Sequence, residues 1–407
     1  MYLRGRGDIE FKRRKRNNPA RMVFWVVLIL AAWYVNQFIV PVTPPLFIPT
    51  PTPTISPEVY LAEAEKAFNA GQLKQAITAY TSALQTDPNN RATYVALARV
   101  QAYNGQLEEA LKNAELALVG NDNYALAHAV RGWILNQSGD ILTAEASIRR
   151  ALEVDPNNPL FNAYYAELLI DRNDFGDIEK AAEISRNAVT TGANLLETHI
   201  ARGYVLLSTS NYEEALAEYR SAAAINKGIP DIFLNIGYCY LALEDYANAI
   251  QAFQQADVLN PANPIPDLEI SRVYARIGDF PKAVQNAEKA VQNDPLNPHR
   301  YGNLGIMLYK NNQYPEAASA LALAVRGGTN VDGDVVPGLP LNYGFVAQYY
   351  YTYGLALARL DRCTEAVPIL RALITTVPDD PIAQFNAEEG LSICKQTIPT
   401  ATPEATP

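Results

Sequence analysis

Two apolar patterns run along this chain, and they differ in period. The first is continuous. Residues 22–35, MVFWVVLILAAWYV, are uninterrupted; Asn36 and Gln37 follow, and Phe38, Ile39 and Val40 carry the run to Pro41. As a helix, residues 22–40 extend about 28 Å, close to the hydrocarbon thickness of a bilayer. The run therefore predicts one transmembrane helix at 22–40, with Trp33 and Tyr34 suited to the outer interface. The second pattern is periodic. Between residues 58 and 380 one alanine recurs as Ala76, Ala110, Ala144, Ala181, Ala215, Ala249, Ala283, Ala317 and Ala366, and six of its eight intervals are 34 residues. Other positions keep the same phase. Seven residues on stand Ala83, Ala117, Ala151, Ala188, Ala222, Ala256, Ala290 and Ala324, with Leu373 last. Twelve before the marker most units carry a small residue: Ala64, Ala98, Gly132, Gly203, Gly237, Ser271, Gly305 and Gly354. Five before it a turn-forming glycine recurs at Gly71, Gly105, Gly139 and Gly278. A period of this length predicts stacked supersecondary units, none of which can bury both faces alone.

The clearest copy is the sixth, DIFLNIGYCYLALEDYANAIQAFQQADVLNPAN. Its small residues Gly237 and Ala249, bulky Tyr246 and Phe253, and closing Pro261 resemble the tetratricopeptide repeat (TPR) family. The resemblance implies an all-α fold: a right-handed superhelical solenoid of about nine helical hairpins over residues 58–396. Residues 382–396, IAQFNAEEGLSICKQ, read as a final amphipathic helix capping the array. In this family the first helix of each hairpin lines a concave groove. Transferred position by position, that implies partner-binding residues Arg99, Tyr103, Trp133, Tyr204, Tyr238, Arg272, Arg276, Tyr309 and Tyr351. The Lys/Asn pattern by which some members clamp a peptide carboxylate is not visible. Two units depart from the period. The fourth has three extra residues within DRNDFGDIEK, which predicts a longer turn between its helices. Fifteen extra residues separate the eighth and ninth units, within TNVDGDVVPGLPLNYG. That segment, 329–344, reads as an ordered surface loop, with partner contact as the alternative. Asp332 and Asp334 supply too few oxygens for calcium.

Charge orients the apolar helix. The first 21 residues hold eight basic and two acidic side chains, which leaves 25 Lys+Arg against 41 Asp+Glu in the rest. Six basic residues from Lys12 to Arg21 crowd one end of the apolar run, and none follows the other end until Lys66. A single-pass cell membrane protein is expected, with residues 1–21 cytoplasmic and the repeat domain extracytoplasmic. A cleaved signal peptide is the alternative, but the best small-residue site, Ala31-Ala32, has Leu30 where a small residue is wanted. Residues 41–57, PVTPPLFIPTPTPTISP, read as a polyproline-type linker reaching about 50 Å. The Thr/Pro-rich tail, 397–407, reads as disordered. The acidic body excludes nucleic acid as a partner.

Little else points to chemistry. Cys239, Cys363 and Cys394 form no C-x-x-C pair, and His128, His199 and His299 are scattered, so no metal site is expected. Cys363 opens the second helix of the ninth hairpin and Cys394 ends the capping helix. Antiparallel packing then sets the two thiols side by side, and an oxidising compartment favours a disulfide; two small buried apolar residues are the alternative. Cys239 reads as core. No Ser/His/Asp arrangement or phosphate-cradling glycine loop is present, so neither enzyme activity, a cofactor nor a small-molecule substrate is expected. The expected function is a membrane-tethered scaffold that binds a protein or peptide of unspecified identity in the concave face. The alternatives are an envelope spacer contacting glycan or wall, and an enzyme with a cryptic site.

Overall fold

The computed structural model describes residues 18–39 and 56–397, which divide into two units. In the first, α1 (Pro19–Tyr34) runs into a π-helical turn (Val35–Ile39). Pro19–Phe38 is long and apolar enough to cross a membrane and is wholly exposed. Most of the basic terminus, Val40, nearly all of the linker and the tail beyond Thr397 lie outside the described residues.

The second unit is a run of helical hairpins. They are α2 (Pro57–Asn69) with α3 (Leu73–Thr86), α4 (Arg91–Tyr103) with α5 (Leu107–Leu118), α6 (Ala125–Gln137) with α7 (Ile141–Val154), and α8 (Pro159–Arg172) with α9 (Asp177–Thr191). Next come α10 (Leu196–Ser208) with α11 (Tyr212–Ile225), α12 (Pro230–Ala242) with α13 (Tyr246–Leu259), α14 (Pro264–Arg276) with α15 (Phe280–Asn293), and α16 (Pro298–Lys310) with α17 (Tyr314–Arg326). The ninth pair is α18 (Phe345–Arg359) with α19 (Cys363–Thr376), and α20 (Pro381–Thr397) closes the array. Each even-numbered helix is thus the first of its pair, as the 34-residue phase predicts.

Local chemistry sets the boundaries. Asn158, Asn263 and Asn297 accept backbone N–H bonds at the starts of α8, α14 and α16, each followed by a proline whose missing N–H has no partner to lose there. Asp140, Asp245 and Asp279 do the same at second helices α7, α13 and α15, accepting from the third residue on. Between the helices of every hairpin the residue five before the marker alanine adopts positive φ, and in the fourth hairpin Asn173 does so as well. The recurring residue is Gly71, Gly105, Gly139, Gly176 or Gly278 in five hairpins, and Ser210, Glu244, Asn312 or Asp361 in the other four. In several pairs a glycine of the first helix meets a large side chain sixteen positions on. A Cβ on Gly237 would stand 2.4 Å from Phe253, and one on Gly305 equally close to Leu321. The helices approach this closely only because that methyl is absent.

Both departures from the period take shape. The fourth unit spreads its extra residues: α8 has 14 residues where most first helices have 13, and α9 has 15 where most second helices have 14. Its turn, 173–176, is one residue longer than the others, and the Arg172 guanidinium braces it with two bonds to Asp177, at 2.8 and 2.6 Å. The long insertion differs from the expected loop. It forms a hairpin of β1 (Gly327–Thr329) and β2 (Val335–Pro337), antiparallel with Gly328 opposite Val336. Val336 supplies the reason, because it buries its side chain against Tyr301 and Ala324. Asn330 ties the turn by accepting from the N–H groups of Asp332 and Asp334, and no metal-type cluster of His, Cys, Asp or Glu occurs among the described residues.

Contacts between distant hairpins break the nearest-neighbour rule of solenoids. The loop between α11 and α12 touches the turn of the first hairpin: Asn226 Nδ2 donates to Phe68 O at 2.7 Å, across 158 residues of chain. Gly228 lies flat on Gly71, where a Cβ would fall 1.9 Å from the Gly71 carbonyl oxygen. The first five hairpins therefore wind through one closed turn.

Candidate functional site

The inner face, lined by the first helices, divides into two chemically different stretches. Within the closed turn it is filled. Phe68, Tyr103, Trp133 and Tyr164, from α2, α4, α6 and α8, stack in succession with centroids 6.2, 4.9 and 5.0 Å apart. Arg99 on α4 pairs with Glu197 on α10 across the interior, and Tyr103 Oη donates to the same carboxylate at 3.0 Å. Burial alone would lower the Arg99 pKa, but Glu197 beside it outweighs that and leaves it raised. Trp133 Nε1 donates to Glu167 at 3.1 Å. Burial pushes the Glu167 carboxyl up to about 8, with Asp171 adding to the rise.

Tyr103 and Trp133 thus differ from the groove expectation. At 5% and 3% exposed they are packing residues of the closed turn, because the superhelix winds tightly enough to bring α2 through α8 over them. Arg99 is partly buried and held by Glu197. Tyr204 is half-buried, donating to Asp171, at the edge of a cavity considered below.

Beyond the closed turn the inner face opens. Helices α12, α14, α16 and α18 enclose a cavity of about 240 Å³. Leu241, Ile306, Met307 and Phe345 give it apolar walls, and Arg272, Arg276 and Lys310 give it charge, with Glu269 the only acidic side chain in its lining. Arg272 lies 4.9 Å over the Phe345 ring and donates to Glu269 at 2.8 Å. Burial raises the Glu269 carboxyl against the pull of Arg272. Arg276 and Lys310 are exposed, and neither makes an ion pair among the described residues. Tyr238 on α12 meets Phe253 edge-on at 5.5 Å and Tyr309 on α16 packs on Tyr314 at 5.4 Å, and neither lines the cavity. Tyr351 is half-buried on α18.

Of the sequence-derived groove set only Arg272 and Arg276 line this cavity, and Lys310, Phe345 and Gln348 are among the lining residues outside that set. For Lys310 the signal was present: it follows Arg276 by one 34-residue period, and Arg359 holds the same position in the ninth unit. Phe345 carries no such signal, because it follows the insertion that breaks the phase.

Three tetratricopeptide repeat family models match the chain, one at residues 200–264 and 268–331, a second at 67–134 and a third at 125–158, together more than half its length. The chain belongs to the tetratricopeptide repeat family. Proteins built of these repeats are generally non-catalytic, and the repeats mark this one as a protein–protein interaction scaffold. Among curated proteins it is similar to RNA polymerase II-associated protein 3 of Xenopus tropicalis, 34% identical over 114 residues. That stretch is 26% of this chain and spans only 16% of the relative. Among solved structures it is similar to the APC/C hetero-tetramer Cut9-Hcn1, with TM-score 0.60 and 15% identity over 79% of this chain and 59% of that one. It is also similar to pilF of Pseudomonas aeruginosa, with TM-score 0.42 and 22% identity over 50% of this chain and 90% of that one.

Proposed function

We propose that this TPR protein is tethered to a membrane by α1 and uses the open inner groove of its seventh to ninth hairpins to hold an extended segment of a partner protein that carries acidic side chains. The observation that carries this reading is the column Arg276, Lys310 and Arg359 beside the Arg272–Phe345 stack, on a chain whose net charge is −10. Exposed Arg276 and Lys310, which make no ion pair among the described residues and stand against apolar walls, favour an anionic side chain flanked by apolar ones. Arg359 reaches Glu389 only at 3.5 Å and lies half-exposed, so it adds to the same field.

The test uses the full chain in detergent and a fluorescent peptide alternating Asp with Leu. Saturable binding is expected to weaken at least about tenfold in an Arg276→Glu/Lys310→Glu double variant, and to weaken as salt rises. Equal affinity in the double variant, or binding as strong to a peptide with Asn in place of Asp, would contradict the reading. Tethering is tested separately. Protease added to intact cells is expected to remove the repeat domain and spare the basic amino terminus, as the charge asymmetry requires.

A further inference from the structure

A second cavity, of about 410 Å³, opens on the inner face where α6, α8, α10 and α12 converge. Its chemistry is opposite to that of the basic groove. Glu167, Asp171 and Asp231 line it, and no lysine, arginine or histidine does. Two buried acceptors there have no partner. Asn136, 6% exposed, donates its Nδ2 to Asp171 at 2.6 Å, which leaves Oδ1 without a donor. Turning the amide over would set Oδ1 against the Asp171 carboxylate, so this orientation is fixed by charge. Tyr219 Oη, on a fully buried side chain in the same lining, is also unpartnered. A buried polar atom left without its bond costs about 1–3 kcal/mol, and such atoms commonly mark a place where a ligand completes the set. The helix ends add to the field: Asn136 and Asp171 each stand one residue from the carboxyl end of α6 or α8, the negative end of the helix dipole. The neighbouring cations are already engaged, Arg99 by Glu197 and Arg172 by Asp177 and Glu145.

We propose that this cavity is a receptor site for an organic cation, an alkylammonium or guanidinium group, with Asp171, Asp231 and Asn136 Oδ1 as its acceptors and the Tyr204 ring as a wall. Guanidinium fits best, because its several coplanar N–H donors match separate acceptors. A metal ion fits less well, since no group of three metal-type ligands assembles among the described residues. The cation comes either from an arginine or lysine side chain of a partner or from a free diamine. Desolvation raises the Asp231 carboxyl at the cavity mouth and, with Asp171 adding to it, that of Glu167; an incoming cation favours the charged form of both. The site is separate from the basic groove, and its failure would leave that reading untouched.

The experiment uses the full chain in detergent with Trp25→Phe and Trp33→Phe, so that Trp133, bonded to Glu167, is the only tryptophan and reports the cavity by fluorescence. The probes are agmatine for the free source and the peptide acetyl-Gly-Arg-Gly-amide for the side-chain source, with the citrulline peptide as uncharged control. Saturable quenching or shift is expected with at least one cation and not with citrulline. Asp231→Asn, an exposed and isosteric change, is expected to weaken binding about tenfold, the loss of one charge-assisted bond. Arg276→Glu is expected to leave it unchanged. Agmatine alone binding assigns a small amine, and the arginine peptide binding assigns a partner side chain. No saturation by either cation up to about 10 mM, an affinity of under ~3 kcal/mol, overturns the proposal; so does equal binding by Asp231→Asn with an unchanged circular dichroism spectrum.

Discussion

Glu244 occupies, at φ +60°, the turn position that glycine fills in five of the nine hairpins. A side chain there meets its own backbone at a cost of about 1–2 kcal/mol, and glycine returns part of that through greater unfolded-state entropy. Glu244 is exposed and makes no bond that substitution would lose. Glu244→Gly is therefore expected to stabilise the domain by about 1 kcal/mol in urea unfolding. The mirror experiment is Gly139→Ala, where an added Cβ meets nothing within 4 Å; it is expected to cost a similar amount through backbone alone. Glu167 makes a second prediction, of opposite character. Its folded carboxyl titrates at about 8 against an ordinary 4.5, so between these values the folded chain binds more proton than the unfolded one. Stability from this group is full below 4.5 and falls as pH rises to about 8, by up to about 1.4 kcal/mol per pH unit. Glu167→Gln keeps an acceptor for Trp133 and removes the titration. Its unfolding midpoint is expected to gain on wild type between pH 5.5 and 7.5; parallel pH profiles would refute the buried, protonated state.

At the scale of elements, α20 is the piece whose attachment can be varied. Its far end is joined to the start of α19 by Cys363 and Cys394, whose sulfurs stand 2.15 Å apart with Cα atoms at 5.4 Å. Closing a loop across 31 residues restricts the unfolded chain by roughly 3–4 kcal/mol. Reduction, or Cys363→Ser with Cys394→Ser, is expected to lower the thermal midpoint and to raise hydrogen exchange first in α20 and α19. An unchanged midpoint under dithiothreitol would show that the thiols are not bonded in solution. The pairing was legible in the sequence because it needs only the order and direction of two consecutive helices. The nine hairpins were legible for the same reason, since marker alanines and turn residues are local. What the sequence left open is set elsewhere. The β1–β2 hairpin forms because Val336 finds a site between Tyr301 and Ala324, which periodicity does not encode. The fate of the inner aromatics was also hidden. The phase that places Tyr103, Trp133 and Tyr309 on first helices is shared by all units, yet the first two are buried and Tyr309 is not. That difference arises from how far the array has wound at each unit, a sum of small rotations that no single repeat contains.

At the scale of the whole repeat domain, the contact between the first hairpin and the α11–α12 loop converts an open solenoid into a closed turn followed by an open groove. In a nearest-neighbour array a terminal hairpin is held on one side only and opens first. Here the first hairpin has a second hold. Asn226, 1% exposed, spends its Nδ2 on Phe68 O and its Oδ1 on Gly228 N at 2.9 Å, so one side chain fixes both the loop and its grip. Gly228 is the only residue type that allows the backbones to touch, and any side chain there must push the two apart. Gly228→Val is therefore expected to release the first hairpin without disturbing the packing of α11 on α12, and Asn226→Ala to weaken the same contact with no added bulk. Hydrogen exchange in α2 and α3 should rise by one to two orders of magnitude, as loss of about 1–3 kcal/mol implies, while α14 through α19 stay protected. Small-angle scattering should show a larger radius of gyration. The consequence reaches the interior, because Phe68 is the end ring of the stack that leads through Tyr103 to Trp133. An opened turn should shift Trp133 emission towards that of a wetter indole. If exchange in α2 is unchanged in both variants, the closed turn is not held by this contact, and the aromatic stack with the bonds of Arg99 and Tyr103 to Glu197 would have to account for it.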